Sequence, residues 1–201
     1  MTVLHAESAA APADAFRRRL LDGLATSIAE RGYRASTVAD VVRTARTSKR
    51  TFYDHFTSKE QCFLELLHAD NEALAMRIRE AVDPQADWPD QIRQAVQAYV
   101  EQIRSRPAIT LSWIRELPSL GEAARSAQRR GVAAMSGVLI ELSGNPGFRR
   151  AQLAPLTPEL AVILLGGLRE LTAQAVEDGA DLGVITEPAV CASIALLGPR
   201  P

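Results

Sequence analysis

The sequence predicts an all-α protein, and three observations support this fold class. Alanine and leucine dominate the second half of the chain, and only 5% of all residues are aromatic, a composition that favours helices over sheets. Apolar residues recur at intervals of three and four along most of the chain. No stretch alternates convincingly between apolar and polar residues, as a half-buried strand would. The 201 residues suit one domain of ordinary size or two small ones that share a core.

Two amphipathic helices are predicted first. Apolar residues at every fourth position, from Phe16 to Ile28, predict a helix that ends at Gly32. Thr37 then precedes a short second helix, and Asp40 stands where a capping box needs an acidic residue. The residues before the first helix, 1–12, are interpreted as a loose, alanine-rich and flexible tail.

Two serines open the next two helices. Ser48 and Ser58 are predicted N-cap residues, since a serine hydroxyl accepts a hydrogen bond from the backbone of the first turn. Phe52 and Phe56 are the predicted inward residues of the helix between them. Gln61 completes a second capping-box pattern with Ser58.

The rest of the chain is predicted to contain five further helices, which makes about nine in all. Helix-breaking residues separate these segments, since proline removes a backbone donor and glycine favours turns. The breaks stand at Pro107, Pro118, 143–147 and Gly179. The predicted organisation is therefore a helical amino-terminal domain over 13–67 and a larger helical bundle over 68–201.

Basic residues concentrate in one window of a chain whose formal net charge is −1. The window from Arg31 to Lys59 carries a local charge of +5. The only two lysines, Lys49 and Lys59, each follow an N-cap serine, where the helix dipole disfavours a cation by a few tenths of a kcal/mol. Helix N-termini bind phosphates, so a phosphate would turn both lysines into favourable counter-ions. The alternative, two solvated surface charges, leaves the basic window unexplained.

A helix-turn-helix accounts for this window. A short helix from Thr37, a tight turn at 45–48 and a helix from Ser48 have the required order. In this motif the second helix enters the DNA major groove by its amino-terminal residues. Thr37 and Ser48 can cap their helices, contact phosphate, or do both.

Side chains of the third helix can be given roles by geometry. Lys49 and Arg50 can reach guanine or a phosphate, because long cationic side chains serve both. Thr51 is small enough to contact a base edge or a thymine methyl group. Tyr53 and His55 offer a hydroxyl and an imidazole to the DNA backbone.

Residues 37–67, "TVADVVRTARTSKRTFYDHFTSKEQCFLELL", closely resemble the DNA-binding domain of tetracycline-repressor-like (TetR-family) regulators. The most specific part is "FYDHF" followed by "SKE". The resemblance covers residues 13–67, and beyond them only the number and order of helices agree. It implies a homodimer that binds a short palindromic operator in double-stranded DNA. Such proteins are usually repressors that a small-molecule effector releases.

The family pattern implies that Thr37, Ser48, Lys49, Thr51, Tyr53, His55 and Lys59 face DNA. The turn commonly carries glycine where this chain has Arg46, and arginine has a modest cost if that residue must adopt positive φ. Either the turn differs slightly or Arg46 is retained as an extra phosphate contact. The full predicted DNA-binding set is Thr37, Arg46, Thr47, Ser48, Lys49, Arg50, Thr51, Tyr53, His55 and Lys59.

A dimer interface is predicted in the last two helices. The segment 159–176 is apolar nearly all round and has two glycines in mid-helix, each costing about 1 kcal/mol relative to alanine. Close approach of a second copy would explain them; the alternative is an intramolecular core. The predicted interface residues are Leu160, Ile163, Leu164, Gly167, Leu168, Leu171, Val190, Ile194 and Leu197.

Candidates for a ligand pocket lie on the middle helices. Tyr99, Trp113 and Met135 have aliphatic neighbours, and Arg104 and Arg115 could meet an anion. The alternative is a core position for each apolar residue and an exposed surface position for each arginine.

Other classes of function fit the sequence less well. It contains no nucleophile–base motif and no glycine-rich phosphate loop, so we predict no enzyme activity, no catalytic residues and no cofactor. Cys62 and Cys191 lack metal-type spacing. The chain begins without a signal-peptide pattern, and its longest apolar run, 160–168, is too short to span a bilayer. A cytoplasmic protein is expected. A helical small-molecule-binding protein, a DNA-binding activator and a repressor without an inducer remain alternatives.

Overall fold

The computed structural model describes residues 12–199, and all regular structure within that range is helical. The all-α prediction is confirmed. Residues 12–199 form ten α-helices, one more than predicted, because the turn around residue 146 forms a short helix of its own. The α-helices are α1 (Pro12–Ala35), α2 (Val38–Thr44), α3 (Lys49–His55), α4 (Lys59–Ala81), α5 (Trp88–Ser105), α6 (Pro107–Arg115), α7 (Glu122–Ser143), α8 (Pro146–Arg150), α9 (Pro158–Glu177) and α10 (Thr186–Leu197). Two 3₁₀ turns lie at Leu117–Ser119 and Leu182–Ile185.

The chain forms two compact units, with the boundary between residues 66 and 67. The predicted tail lies outside the described residues, except that α1 begins at Pro12. No described helix is long and apolar enough to cross a membrane.

The amino-terminal unit packs α2, α3 and the start of α4 against α1. Its core consists of fully buried apolar side chains that recur at helical spacing, namely Leu20, Leu24, Ile28, Val41, Phe52, Phe56, Cys62 and Phe63. The predicted inward positions of α3 are thus confirmed. Gly32 interrupts the helix at the predicted place, and the range given for α1 includes this kink. Gly32 has φ 77° and ψ 163°, and a further helical turn runs on to Ala35.

The carboxy-terminal unit buries one face of each of its long helices. One cluster joins α5, α9 and α10 through residues that include Ile92, Val96, Val100, Leu164, Leu168 and Val190. A second joins α4, α5, α7 and α9 through Ile78, Val82, Ala98, Met135, Val138 and Leu165. The helices α5 and α9 contribute to both clusters, so together they form the centre of this unit.

Candidate nucleic-acid interface

The second helix begins with the predicted capping box. The Thr37 hydroxyl accepts a hydrogen bond from the Asp40 amide at 3.2 Å, and the Asp40 carboxylate accepts one from the Thr37 amide at 3.0 Å. The hydrogen bonds from Thr37, with a further one from Arg43, lower the pKa of Asp40 to about 2. The carboxylate therefore stays charged at neutral pH and holds the start of α2. The capping role of Thr37 is confirmed, and its contact with DNA stays a prediction.

The turn after α2 adopts the conformation for which glycine is usual. Arg46 has φ 51°, and the Thr47 amide donates to the Val42 carbonyl at 2.9 Å, which is the Schellman pattern of a helix end. The guanidinium of Arg19 donates to the carbonyls of Ala45 and Arg46. The turn therefore has the geometry that a glycine would adopt, and the alternative that it differs slightly is excluded. Arg46 occupies a strained backbone position with its side chain exposed.

Replacing Arg46 with glycine is expected to stabilise the amino-terminal unit by about 1 kcal/mol and to weaken DNA binding at the same time. Glycine removes the cost of positive φ, while loss of the charge removes one phosphate contact per half-site. Urea unfolding and DNA binding at several salt concentrations measure the two effects. Arg46→Ala is the control: it should weaken DNA binding equally without the gain in stability. Equal stability of the two variants would show that the turn is not strained.

The third helix presents its cationic side chains to solvent. Its N-cap Ser48 accepts a hydrogen bond from the Thr51 amide at 3.1 Å, as predicted. Phe52 lies fully buried on the opposite face and fixes the rotation of the helix. Lys49 and Arg50 are exposed, and within residues 12–199 neither has an ion-pair partner. Their charges are therefore available to a polyanion.

The remaining predicted residues flank this surface. Tyr53 is 57% exposed, while Thr47 and His55 are half-buried. The ring of Tyr53 meets the ring of Phe52 edge-on, with centroids 5.3 Å apart. This contact orients Tyr53 along the exposed side of α3, with its hydroxyl free of any partner within the described chain.

The sequence predicts that the charge of Lys59 has no partner at the start of its helix, but in the structure this charge is bound by other groups. The Lys59 Nζ donates to the Tyr33 carbonyl at 2.9 Å and to the Ser36 carbonyl at 2.8 Å, and it lies 4.2 Å from the centroid of the Tyr33 ring. Burial lowers the pKa of Lys59. The ammonium group thus joins α4 to the carbonyls at the end of α1. An ammonium has three N–H donors, so one remains for a phosphate.

The predicted dimer residues of α9 and α10 divide into three groups by their exposure. Leu164, Leu168 and Val190 are buried in the core of their own unit, which corrects their assignment to an interface. Leu160, Ile194 and Leu197 are half-buried. The other three, Ile163, Gly167 and Leu171, are exposed.

An apolar stripe runs along the exposed side of α9. Val162 is 50% exposed and Ile163 is 60% exposed. A Cβ added to Gly166 or Gly167 would meet nothing within 4 Å, so neither glycine is required by packing inside this unit. Val162 was missed from the sequence, because a helix that is apolar nearly all round does not show which side its own core covers.

A cavity of about 100 Å³ lies inside the carboxy-terminal unit. Three of the predicted pocket residues, Tyr99, Trp113 and Met135, line it. Arg104 and Arg115 do not, since Arg104 pairs with Asp181 and Arg115 pairs with Glu170 and Glu177 on the surface. The arginines that line the cavity are Arg106 and Arg169. Arg106 lies in the break between α5 and α6, with φ −147° and ψ 58°, so its side chain does not continue the helical rotation of Arg104.

Comparisons with known proteins show that the chain is similar to bacterial transcriptional regulators. A family model described as "Bacterial regulatory proteins, tetR family" matches residues 20–66. The HTH-type transcriptional repressor KstR2 of Mycobacterium tuberculosis H37Rv is 36% identical over 92 residues, which are 46% of this chain and 46% of the relative. The HTH-type transcriptional activator FasR of Mycolicibacterium smegmatis is 30% identical over 92 residues, which are 46% of this chain and 42% of the relative. The chain thus spans less than half the length of these curated relatives.

Solved structures share the fold over almost the whole chain. The fatty acid degradation regulator FadR from Bacillus halodurans has a TM-score of 0.76 at 19% identity, covering 91% of this chain and 99% of its own. FadR from Bacillus subtilis, solved in complex with stearoyl-CoA, has a TM-score of 0.72 at 17% identity, with coverages of 91% and 99%. At such identities the similarity shows the fold alone.

Proposed function

The chain belongs to the tetR family of bacterial regulatory proteins, and we propose that it is a cytoplasmic, homodimeric transcriptional regulator. It binds a palindromic operator in double-stranded DNA and leaves it when a small molecule binds to the carboxy-terminal unit. The observation that carries this proposal is the exposed amino-terminal end of α3. That end has two cations without partners in the described chain and an arginine in the turn before it.

The geometry of α3 supports distinct roles for its side chains. Lys49 follows the N-cap, where the free backbone N–H groups of the first turn also attract a phosphate. Arg50 and Thr51 lie one and two residues further along and can reach base edges in the major groove. Tyr53 and Lys59 contact the DNA backbone in this proposal.

The exposed stripe of α9 supports a dimer. A two-fold interface brings the same surface of each copy together, so one self-complementary apolar face is sufficient. Val162 and Ile163 supply apolar area, and Gly166 and Gly167 allow the helices to approach closely. The exposed side of α10 carries small residues at helical spacing, Cys191, Ala192 and Ala195, and can pack beside it.

Repression is the mode of regulation that the named relatives favour. KstR2 and the AcnR protein of Corynebacterium glutamicum are transcriptional repressors, whereas FasR is an activator. A reporter gene placed behind the operator separates the two modes. Loss of the protein should raise expression if it represses and lower expression if it activates.

Selection of bound duplexes from a random DNA pool, followed by binding of the selected sequence across a salt series, tests the proposal. We expect a palindromic sequence. Lys49→Ala should weaken its binding roughly tenfold and lower the salt slope by about 2 per dimer, at about 0.9 per phosphate contact. Arg50→Ala should in addition relax the preference at one base pair of each half-site.

Arg125→Ala is the matched control, because Arg125 is an exposed arginine of α7 in the other unit. It changes the net charge equally and should leave the salt slope of DNA binding unchanged. If no sequence is enriched, or if Lys49→Ala binds like the wild-type protein, α3 does not read DNA and the proposal fails.

A further inference from the structure

The cavity of the carboxy-terminal unit has a largely apolar wall of fixed shape. Trp113 packs against the backbone of α7 at Gly131, where an added Cβ would stand 2.3 Å from the indole ring. The Asn71 amide donates to the Gly131 carbonyl at 3.3 Å and holds this wall in place. The volume of about 100 Å³ is of the order of the roughly 150 Å³ cavity that accommodates a benzene ring. A ligand bound without rearrangement therefore has a small apolar body.

Three charged side chains line this cavity, and two of them neutralise each other. Arg106 donates to the Asp70 carboxylate at 3.0 Å. The third is Arg169, which therefore leaves the wall with one net positive charge. An apolar cavity whose lining carries one net positive charge favours a ligand that carries one negative charge.

Arg169 has an unsatisfied hydrogen-bond donor at this wall. Its Nε is buried and has no hydrogen-bond partner. The neighbouring candidates are already bonded to other groups: the Tyr99 hydroxyl to Thr172 at 2.8 Å, and the Glu170 carboxylate to Arg115 at 2.9 Å. Burial lowers the pKa of Arg169 by making its charge less favourable. A buried donor without a partner costs free energy, and an acceptor brought by a ligand would remove this penalty once the guanidinium turns Nε towards the cavity.

We propose that the cavity binds a small apolar monocarboxylate whose carboxylate accepts hydrogen bonds from Arg169. A planar guanidinium matches a carboxylate in geometry, and the bonds between them are charge-assisted. The apolar body of the ligand lies between Trp113 and Met135. This inference rests on the proposed ligand-responsive function and names the chemical class of its effector.

Binding of butanoate, hexanoate and octanoate, each compared with its uncharged methyl ester, tests this assignment without DNA. The protein has two tryptophans, so a Trp88→Phe background leaves Trp113 as the only one, and its fluorescence reports binding in the cavity. We expect at least one carboxylate to bind roughly tenfold more tightly than its ester. Arg169→Gln should abolish this preference, and Arg169→Lys should restore part of it.

Arg129→Gln is the matched control. Arg129 is exposed and borders, with Arg169 and Val162, a shallow surface groove next to the cavity. It should leave the preference for the carboxylate intact. Loss of the preference in this control would place the anion in the groove and overturn the proposal. Equal binding of carboxylate and ester to the Trp88→Phe protein, or no binding of either, would also overturn it, whether or not the Arg169 variants fold.

The two proposals fail separately. Carboxylate binding is measured on the free protein, so its absence leaves DNA recognition by α3 unaffected. If no DNA sequence is selected while the carboxylate preference holds and depends on Arg169, the site in the cavity stands and the regulatory function does not.

Discussion

Ile163→Glu is expected to convert the dimer to a monomer and to lower the affinity for the operator roughly 100-fold or more. Ile163 is 60% exposed in one copy and lies in the middle of the apolar stripe of α9. In a two-fold interface each introduced carboxylate would be buried against the same surface of the second copy, without a cation to pair with it. A monomer binds one half-site and loses the gain in affinity from joining two.

Analytical ultracentrifugation measures the oligomeric state, and a binding titration with the selected operator measures the affinity. Met76→Glu is the control, because Met76 is similarly exposed, at 57%, but lies on α4. It should remain dimeric and bind DNA like the wild-type protein. A dimeric Ile163→Glu variant with normal circular dichroism would show that copies associate through another surface.

Gly23→Ala is expected to destabilise the amino-terminal unit by about 1–3 kcal/mol. A Cβ at this position of α1 would stand 2.7 Å from the Val41 carbonyl oxygen and 3.3 Å from the Cβ of Ala45. The first of these atoms belongs to the backbone of α2, so the two helices would have to separate. This cost exceeds the gain of about 1 kcal/mol or less from the higher helix propensity of alanine.

Gly137→Ala is the matched control for this substitution. Gly137 lies within α7, is exposed, and has nothing within 4 Å of an added Cβ. Alanine there should stabilise the protein by about 0.5–1 kcal/mol, which is the opposite sign. Urea denaturation of both variants measures the difference. If Gly23→Ala also stabilises the protein, α1 and α2 are not packed as closely as the structure has them.

The ends of helices could be predicted from the sequence where the relevant hydrogen bonds are local. The Thr37–Asp40 box and the Ser48 cap join residues three positions apart, so short-range geometry decides them. The box at Ser58 is only partly as predicted. The Ser58 hydroxyl accepts from the Gln61 amide at 3.1 Å, but the Gln61 side chain accepts from the Thr57 amide, one residue earlier than expected.

Short-range patterns were thus enough to predict the helical class, most helix starts, the buried side of α3 and the resemblance of residues 13–67 to tetR-family regulators. Each depends on periodicity or on contacts within a few residues. The contact of Lys59 with the end of α1 could not be predicted in this way, since its partners, Tyr33 and Ser36, lie more than twenty residues away in the chain.

Long-range packing also selects which side of α9 is buried and which arginines line the cavity. A helix that is apolar nearly all round can bury any of its sides, so its neighbours select one. Arg104, on α5, pairs with Asp181 outside the cavity, while Arg106, in the break between α5 and α6, lines the wall. Local hydrogen bonds act within one turn of chain, whereas packing couples residues that are distant in sequence.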